Sequence, residues 1–158
     1  MDSIKNFGED SSFEYPLAAL ISIIYRTHNV YLNHILEEFN LTAGQIPFIL
    51  HLLKKQNISQ NDFAEDLFVD KGTVAIALKR LEKEGIVKRK RLDDNRRKYI
   101  IYFTPSGREI ALNIEKLNKE WEDSILEGLT DLQKEKVMEL AKSFSLKSIE
   151  IIQKCSDM

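Results

Sequence analysis

The sequence predicts a mainly helical fold with one small β-hairpin, and three observations lead there. Apolar residues recur at helical spacing near both ends of the chain, two short capped helical patterns stand in the middle, and a period-two pattern broken by polar turn residues follows them. With 43% hydrophobic and 30% charged residues but only three prolines and six glycines, the 158-residue chain suits an ordered globular domain rather than a disordered one. A single domain over residues 1–158 is expected.

The first dozen residues are polar and read as a loose arm. From Glu14 to Phe39, the spacing of Leu17, Leu20, Ile21, Ile24, Tyr31, Leu32, Ile35 and Leu36 predicts a long helix, and Ala18, Ile23 and Val30 widen its apolar stripe beyond one face. Such a helix needs more neighbours than a small domain supplies, so a second subunit is expected against it. Asn40-Leu41-Thr42 stops it, and Thr42 with Gln45 forms a capping box for a helix reaching Lys54. Ser59 with Asp62 makes a similar pair for a short helix ending near Phe68, with Phe63, Ala64 and Leu67 inward. Asp70 caps the next, Lys71 to Glu84, which Gly85 closes. Two short helices joined by a three- or four-residue turn form a helix-turn-helix candidate.

Ile86 to Arg91 and Lys98 to Phe103 read as strands around the polar segment 92–97, which is where a wing would stand. Thr104-Pro105 restarts a helix that continues to about Leu126, and Thr130 with Gln133 boxes a last one carrying Val137, Leu140, Phe144, Leu146, Ile149 and Ile152. Residues 42–103 are therefore expected to form a winged helix-turn-helix lobe. Residues 14–39 and 105–154 are expected to form a helical dimerisation platform.

The formal charge of -2 hides a strong asymmetry. From Asp70 to Lys98 there are eleven Lys or Arg against five Asp or Glu, a balance of +6, and the rest of the chain carries -8. A basic patch on an acidic body attracts a polyanion through one face only, and double-stranded DNA is the expected partner. In the helix from Lys71, Val74, Ala77, Leu78 and Leu81 face inward. This leaves Lys71, Gly72, Ala75, Ile76 and Lys79 near the outward face, with Thr73 and Arg80 at its margins. Small residues at the start permit close approach to base edges, and the methyl groups of Thr73, Ala75 and Ile76 suit thymine methyls. Lys79 and Arg80, a turn or more along, suit phosphates. Ser59 and Gln60, opening the preceding helix, are expected at the same interface. Arg91, Asn95, Arg96, Arg97 and Lys98 flank the wing turn, from which arginines can reach the minor groove. The alternative occupant of this basic face is an acidic protein partner, which accounts better for the outward Ala75 and Ile76.

Leu67-Phe68-Val69-Asp70-Lys71-Gly72-Thr73-Val74, Leu81-Glu82-Lys83-Glu84-Gly85-Ile86-Val87-Lys88-Arg89, Arg96-Arg97 and Phe103-Thr104-Pro105-Ser106-Gly107 resemble the MarR family of bacterial and archaeal regulators. The resemblance spans nearly the whole chain. It implies a homodimer interlocked by its first and last helices, a recognition helix at Lys71 to Glu84 for the major groove and a wing for the minor groove. It also implies a pseudo-palindromic operator and, most commonly, repression. The arginine of the family's Asp-x-Arg wing motif falls on Arg97, while its aspartate falls on Asn95, with Asp94 beside it. A small aromatic or phenolic effector between platform and DNA-binding lobe is implied as well, with Tyr25, Arg26, His28 and His51 as candidate lining.

Enzyme chemistry is not expected. The chain has no phosphate-cradling Gly-rich loop, no nucleophile elbow and no metalloprotease histidine pair, and no cofactor is implied. His28, His34 and His51 lack the spacing of a metal site, and Cys155, the single cysteine, cannot close an intrachain disulfide. No apolar run approaches a membrane span, and the amino terminus lacks a secretory signal's apolar run behind a basic start, so a cytoplasmic location is expected.

Overall fold

A computed structural model of the chain describes residues 15–92 and 95–156, with the side chains of residues 92, 95–98 and 156 outside that description. Helix α1 spans Leu17–Leu36 and tightens into a 3-10 turn over Glu37–Phe39. Asn40 then takes left-handed backbone angles, with φ 54°, and the Leu41 amide donates to the Leu36 carbonyl at 3.2 Å. The Thr42–Gln45 box forms as its spacing predicts, but around a 3-10 turn, Ala43–Gln45, that leads into α2, Ile46–Lys54. Ser59 caps α3, Gln60–Asp66, and Asp70 caps α4, Lys71–Lys83.

After Gly85, at φ 71°, the chain enters an antiparallel hairpin of β2, Val87–Leu92, and β3, Asn95–Phe103. The turn is shorter than the polar segment 92–97 suggested, because backbone pairing reaches Leu92↔Asn95, past an irregularity between Arg91 and Leu92. Ladder hydrogen bonds use main-chain groups and tolerate polar side chains, so composition misplaced the strand end by three residues. A two-residue strand, β1 at Ile58–Ser59, pairs with the other edge of β3 through Ile58↔Ile101 and Ser59↔Ile100, giving the order β1-β3-β2. Helix α5 spans Pro105–Ile125 and α6 spans Asp131–Ser156. The fold is thus mainly helical with a small sheet: a winged helix-turn-helix, as the patterning predicted.

Two compact units divide the chain, one ending at Asn118 and the other beginning at Lys119. In the first, Leu32 and Leu36 of α1, Ile49 and Leu52 of α2, Phe63 of α3, Val74, Leu78 and Leu81 of α4, Ile101 of β3, and Ala111 and Ile114 of α5 share one core. Removing these side chains from water supplies the main driving force for that unit. Thr104 locks the base of the wing to α5. Its hydroxyl donates to the Gly85 carbonyl at 2.6 Å and accepts from the Gly107 amide at 2.9 Å, while its own amide donates to the Ile86 carbonyl. A Cβ on Gly107 would stand 1.9 Å from the Ile86 oxygen, so only glycine fits there.

In the second unit no described residue of α6 is buried, and Leu132, Phe144, Leu146, Ile151 and Ile152 are all exposed. Among the described residues no helix is long and apolar enough to cross a membrane.

Candidate nucleic-acid interface

The interface is built on α4. The Asp70 carboxylate accepts from the Thr73 amide at 2.9 Å and from the Thr73 hydroxyl at 2.5 Å. These bonds, the hydroxyl's first, hold the Asp70 carboxyl below its ordinary value, so it stays ionised at the positive end of the helix. A Cβ on Gly72 would lie 2.9 Å from Asp70 Oδ1, so glycine keeps the cap undisturbed and leaves the first turn bare. Val74, Ala77, Leu78 and Leu81 are buried as expected, whereas Lys71, Gly72, Thr73, Ile76, Lys79 and Arg80 are exposed. Ala75, expected outward, is half-buried at the edge of this face.

Several predicted contacts are engaged within the fold. Arg80 donates through Nε and Nη2 to the Asn40 carbonyl, at 3.2 and 2.6 Å, tying α4 to the residue that ends the first helical segment. Its guanidinium is therefore less available to phosphate than Lys79 is. The Ser59 hydroxyl accepts from the Asp62 amide, and Gln60 Nε2 donates to the Lys71 carbonyl at 3.3 Å, so both residues brace the helix-turn-helix itself.

In the wing, Lys88 and Lys90 fall on one face of β2 and Arg89 and Arg91 on the other, as strand alternation requires. Arg89 pairs with Glu82 at 2.8 Å, and Arg91 donates to the Tyr99 hydroxyl at 2.6 Å. The side chains of Asn95, Arg96, Arg97 and Lys98, and the whole of Asp94, lie outside the described residues.

A second feature is a cavity of about 580 Å³ in the first unit. Tyr25, His28, Asn29 and Leu32 of α1 line one side, Ala43, Ile46, Pro47 and Leu50 another, and Leu67, Val69 and Thr73 of the helix-turn-helix a third. Of the four residues expected to line an effector site, Tyr25 and His28 border this cavity and Arg26 and His51 do not. Arg26 reaches back along its own helix to Ser22 at 2.9 Å, and His51 meets Asp66 at 2.9 Å, where Lys55 also donates at 2.7 Å. Asn118, which sequence reasoning missed, is in the lining and lies 3.1 Å from His28 Nε2. Ninety positions separate the two, and no local pattern links them. Burial lowers the His28 pKa more than this hydrogen bond raises it, so the imidazole is neutral at pH 7. Among the described residues, the lining contains no Lys, Arg, Asp or Glu.

A bare-faced second helix beside a cationic hairpin defines the class: a winged-helix DNA-binding transcriptional regulator, a class without enzymatic activity. The comparisons agree. The family model for the transcriptional regulator SarA/Rot matches residues 31–114. Among curated relatives, the HTH-type transcriptional regulator BilQ of Clostridium symbiosum (strain WAL-14163) is 26% identical over 105 residues, 66% of this chain and 73% of that one. A solved structure of MarR is 33% identical, with a TM-score of 0.73, over 86% of this chain and 99% of its own. A putative MarR family regulator from Listeria monocytogenes, solved in complex with 26mer DNA, shares the fold at a TM-score of 0.78 and 23% identity, over 85% of this chain and 89% of its own. The chain belongs to the MarR family and to the SarA/Rot transcriptional regulators whose model it matches.

Proposed function

We propose that the protein acts as a homodimeric repressor of transcription that binds a pseudo-palindromic DNA operator and releases it when a small molecule enters the cavity. The observation that carries the reading is the exposed first half of α4, with Gly72 and Ile76 uncovered, in the same lobe as the basic strand Lys88 to Arg91. Lys71, Gly72, Thr73, Ala75, Ile76 and Lys79 would meet the major groove, and Arg91 with the wing residues Asn95, Arg96, Arg97 and Lys98 the minor groove. The Listeria relative's complex with DNA supports the same use of the fold. Exposed apolar side chains on α1, including Leu17, Ile21, Ile24 and Val30, and along α6 supply the surface for a second copy. Two recognition helices would then address major-groove faces about 34–36 Å apart.

The effector reading rests on the cavity wall. Leu67, Val69 and Thr73 belong to the helix-turn-helix turn and the first turn of α4, so an occupant would bear directly on the recognition helix. It lowers DNA affinity only to the extent that it binds the non-matching spacing more tightly. A lining with no cationic side chain among the described residues leaves a carboxylate uncompensated, which favours an uncharged phenol or other hydrogen-bonding aromatic.

Fluorescence-anisotropy titration of the full chain against a duplex from its own upstream region and a scrambled duplex of equal length tests the reading. Affinity at least a hundredfold tighter for the upstream duplex, about 2.7 kcal/mol, supports it. Equal weak binding to both, followed by a selection that enriches no duplex, favours an acidic protein partner instead.

A further inference from the structure

The outward face of α4 is poor in groups that could hydrogen-bond a base. At about 100° per residue, the stripe opposite the buried Val74, Ala77, Leu78 and Leu81 consists of Gly72, Ile76, Lys79 and Lys83. Gly72 has no side chain, and the two lysines lie one and two turns toward the C-terminal end from Ile76. The neighbouring polar groups are engaged: the Thr73 hydroxyl donates to Asp70, and Arg80 holds the Asn40 carbonyl. Ile76 alone projects an apolar side chain from the middle of this stripe, at 73% exposure.

Resting on the DNA-binding reading above, we propose that Ile76 is the specificity-determining residue of α4, recognising the C5-methyl group of a thymine in each half-site. That methyl is the one apolar group that unmodified bases present in the major groove. Guanine, adenine and cytosine present N7, O6, N6 or N4 there. Ile76 set against those atoms would strip their water and return no hydrogen bond, so it rejects them as well as favouring thymine. Gly72, one turn before Ile76, lets the backbone come close enough for a side chain of this length to reach the base edge. Lys79 and Lys83 contribute affinity through phosphates without choosing the base.

The test begins with duplexes enriched from a random pool by the full chain. Each thymine of the enriched site is replaced in turn by deoxyuridine, which removes only the C5-methyl, and each duplex is titrated with the parent protein and with Ile76→Ala. Loss of one buried methyl weakens the parent by about fourfold, and loss from both half-sites by about fifteenfold. Ile76→Ala, truncated at an exposed position, keeps the parent's melting behaviour, binds the thymine duplex more weakly and no longer distinguishes it from the uracil duplex. Non-additivity between the protein and DNA changes identifies the contact. If no replaced thymine affects the parent, or if both proteins lose affinity equally, the inference is overturned while the DNA-binding reading stands. If no duplex is enriched, both fall together.

Discussion

At the scale of single residues, Thr104 and His28 show how one side chain ties its surroundings together. Thr104 is 8% exposed, and its hydroxyl serves the Gly85 carbonyl and the Gly107 amide at once. Thr104→Val keeps the volume and removes both bonds, leaving two main-chain groups poorly satisfied. A loss of about 2 kcal/mol in denaturant unfolding is expected. His28 makes stability depend on pH. Its pKa is lowered in the fold from 6.5, so the unfolded chain takes up a proton first as pH falls. Stability therefore declines as pH drops from about 6.5 toward the lowered folded value, and levels off below it. Denaturant titrations at several pH values should show this slope in the parent and a shallower one in His28→Gln. Asp66 and Asp70 act in a separate window. Both are lowered from 3.8, so their contribution is complete above that value and is lost as pH falls through the folded pKa.

At the scale of elements, three helix ends close in the same way with three different residues. Asn40, Phe68 and Gly85 each adopt a positive φ, and in each case the following amide returns to a carbonyl five residues back: Leu41 to Leu36, Val69 to Ala64 and Ile86 to Leu81. Asparagine and glycine are the ordinary choices. Phenylalanine at φ 54° is strained, and its side chain is 62% exposed, so little packing compensates locally. Leu67 and Val69 on either side pack against the core and hold the turn in place. Phe68→Gly should stabilise the protein by about 1 kcal/mol, and the β-branched Phe68→Val should destabilise it, both read from thermal or denaturant unfolding.

At the scale of the whole molecule, exposed apolar surface is the main quantity left to explain. An amphipathic helix usually owes its stability to the face it buries, yet α6 has 26 residues and none of its described side chains is buried. If a second copy covers this surface, light scattering of the parent at micromolar concentration gives twice the chain mass. Leu140→Asp combined with Phe144→Asp then gives a monomer whose duplex affinity is at least tenfold lower, because its half-sites are no longer linked. A stable monomeric parent would remove the platform and the two-half-site mechanism together.

Much of this architecture is legible in the sequence, and the reason is local. The Thr42–Gln45, Ser59–Asp62, Asp70–Thr73 and Thr130–Gln133 contacts all span three residues, and the buried face of α4 follows from helical spacing. Caps, helix order, the inward face of α4 and the basic centre were therefore set by neighbours along the chain. Tertiary structure decided what depends on distant residues meeting. It paired Ile58 with Ile101 in a strand too short to show a pattern, and it drew Arg80 onto the Asn40 carbonyl. It placed Asn118 beside His28 and set His51 against Asp66. These contacts bridge 15 to 90 positions. No periodicity or spacing encodes them, because their partners are chosen by the packing of the shared core.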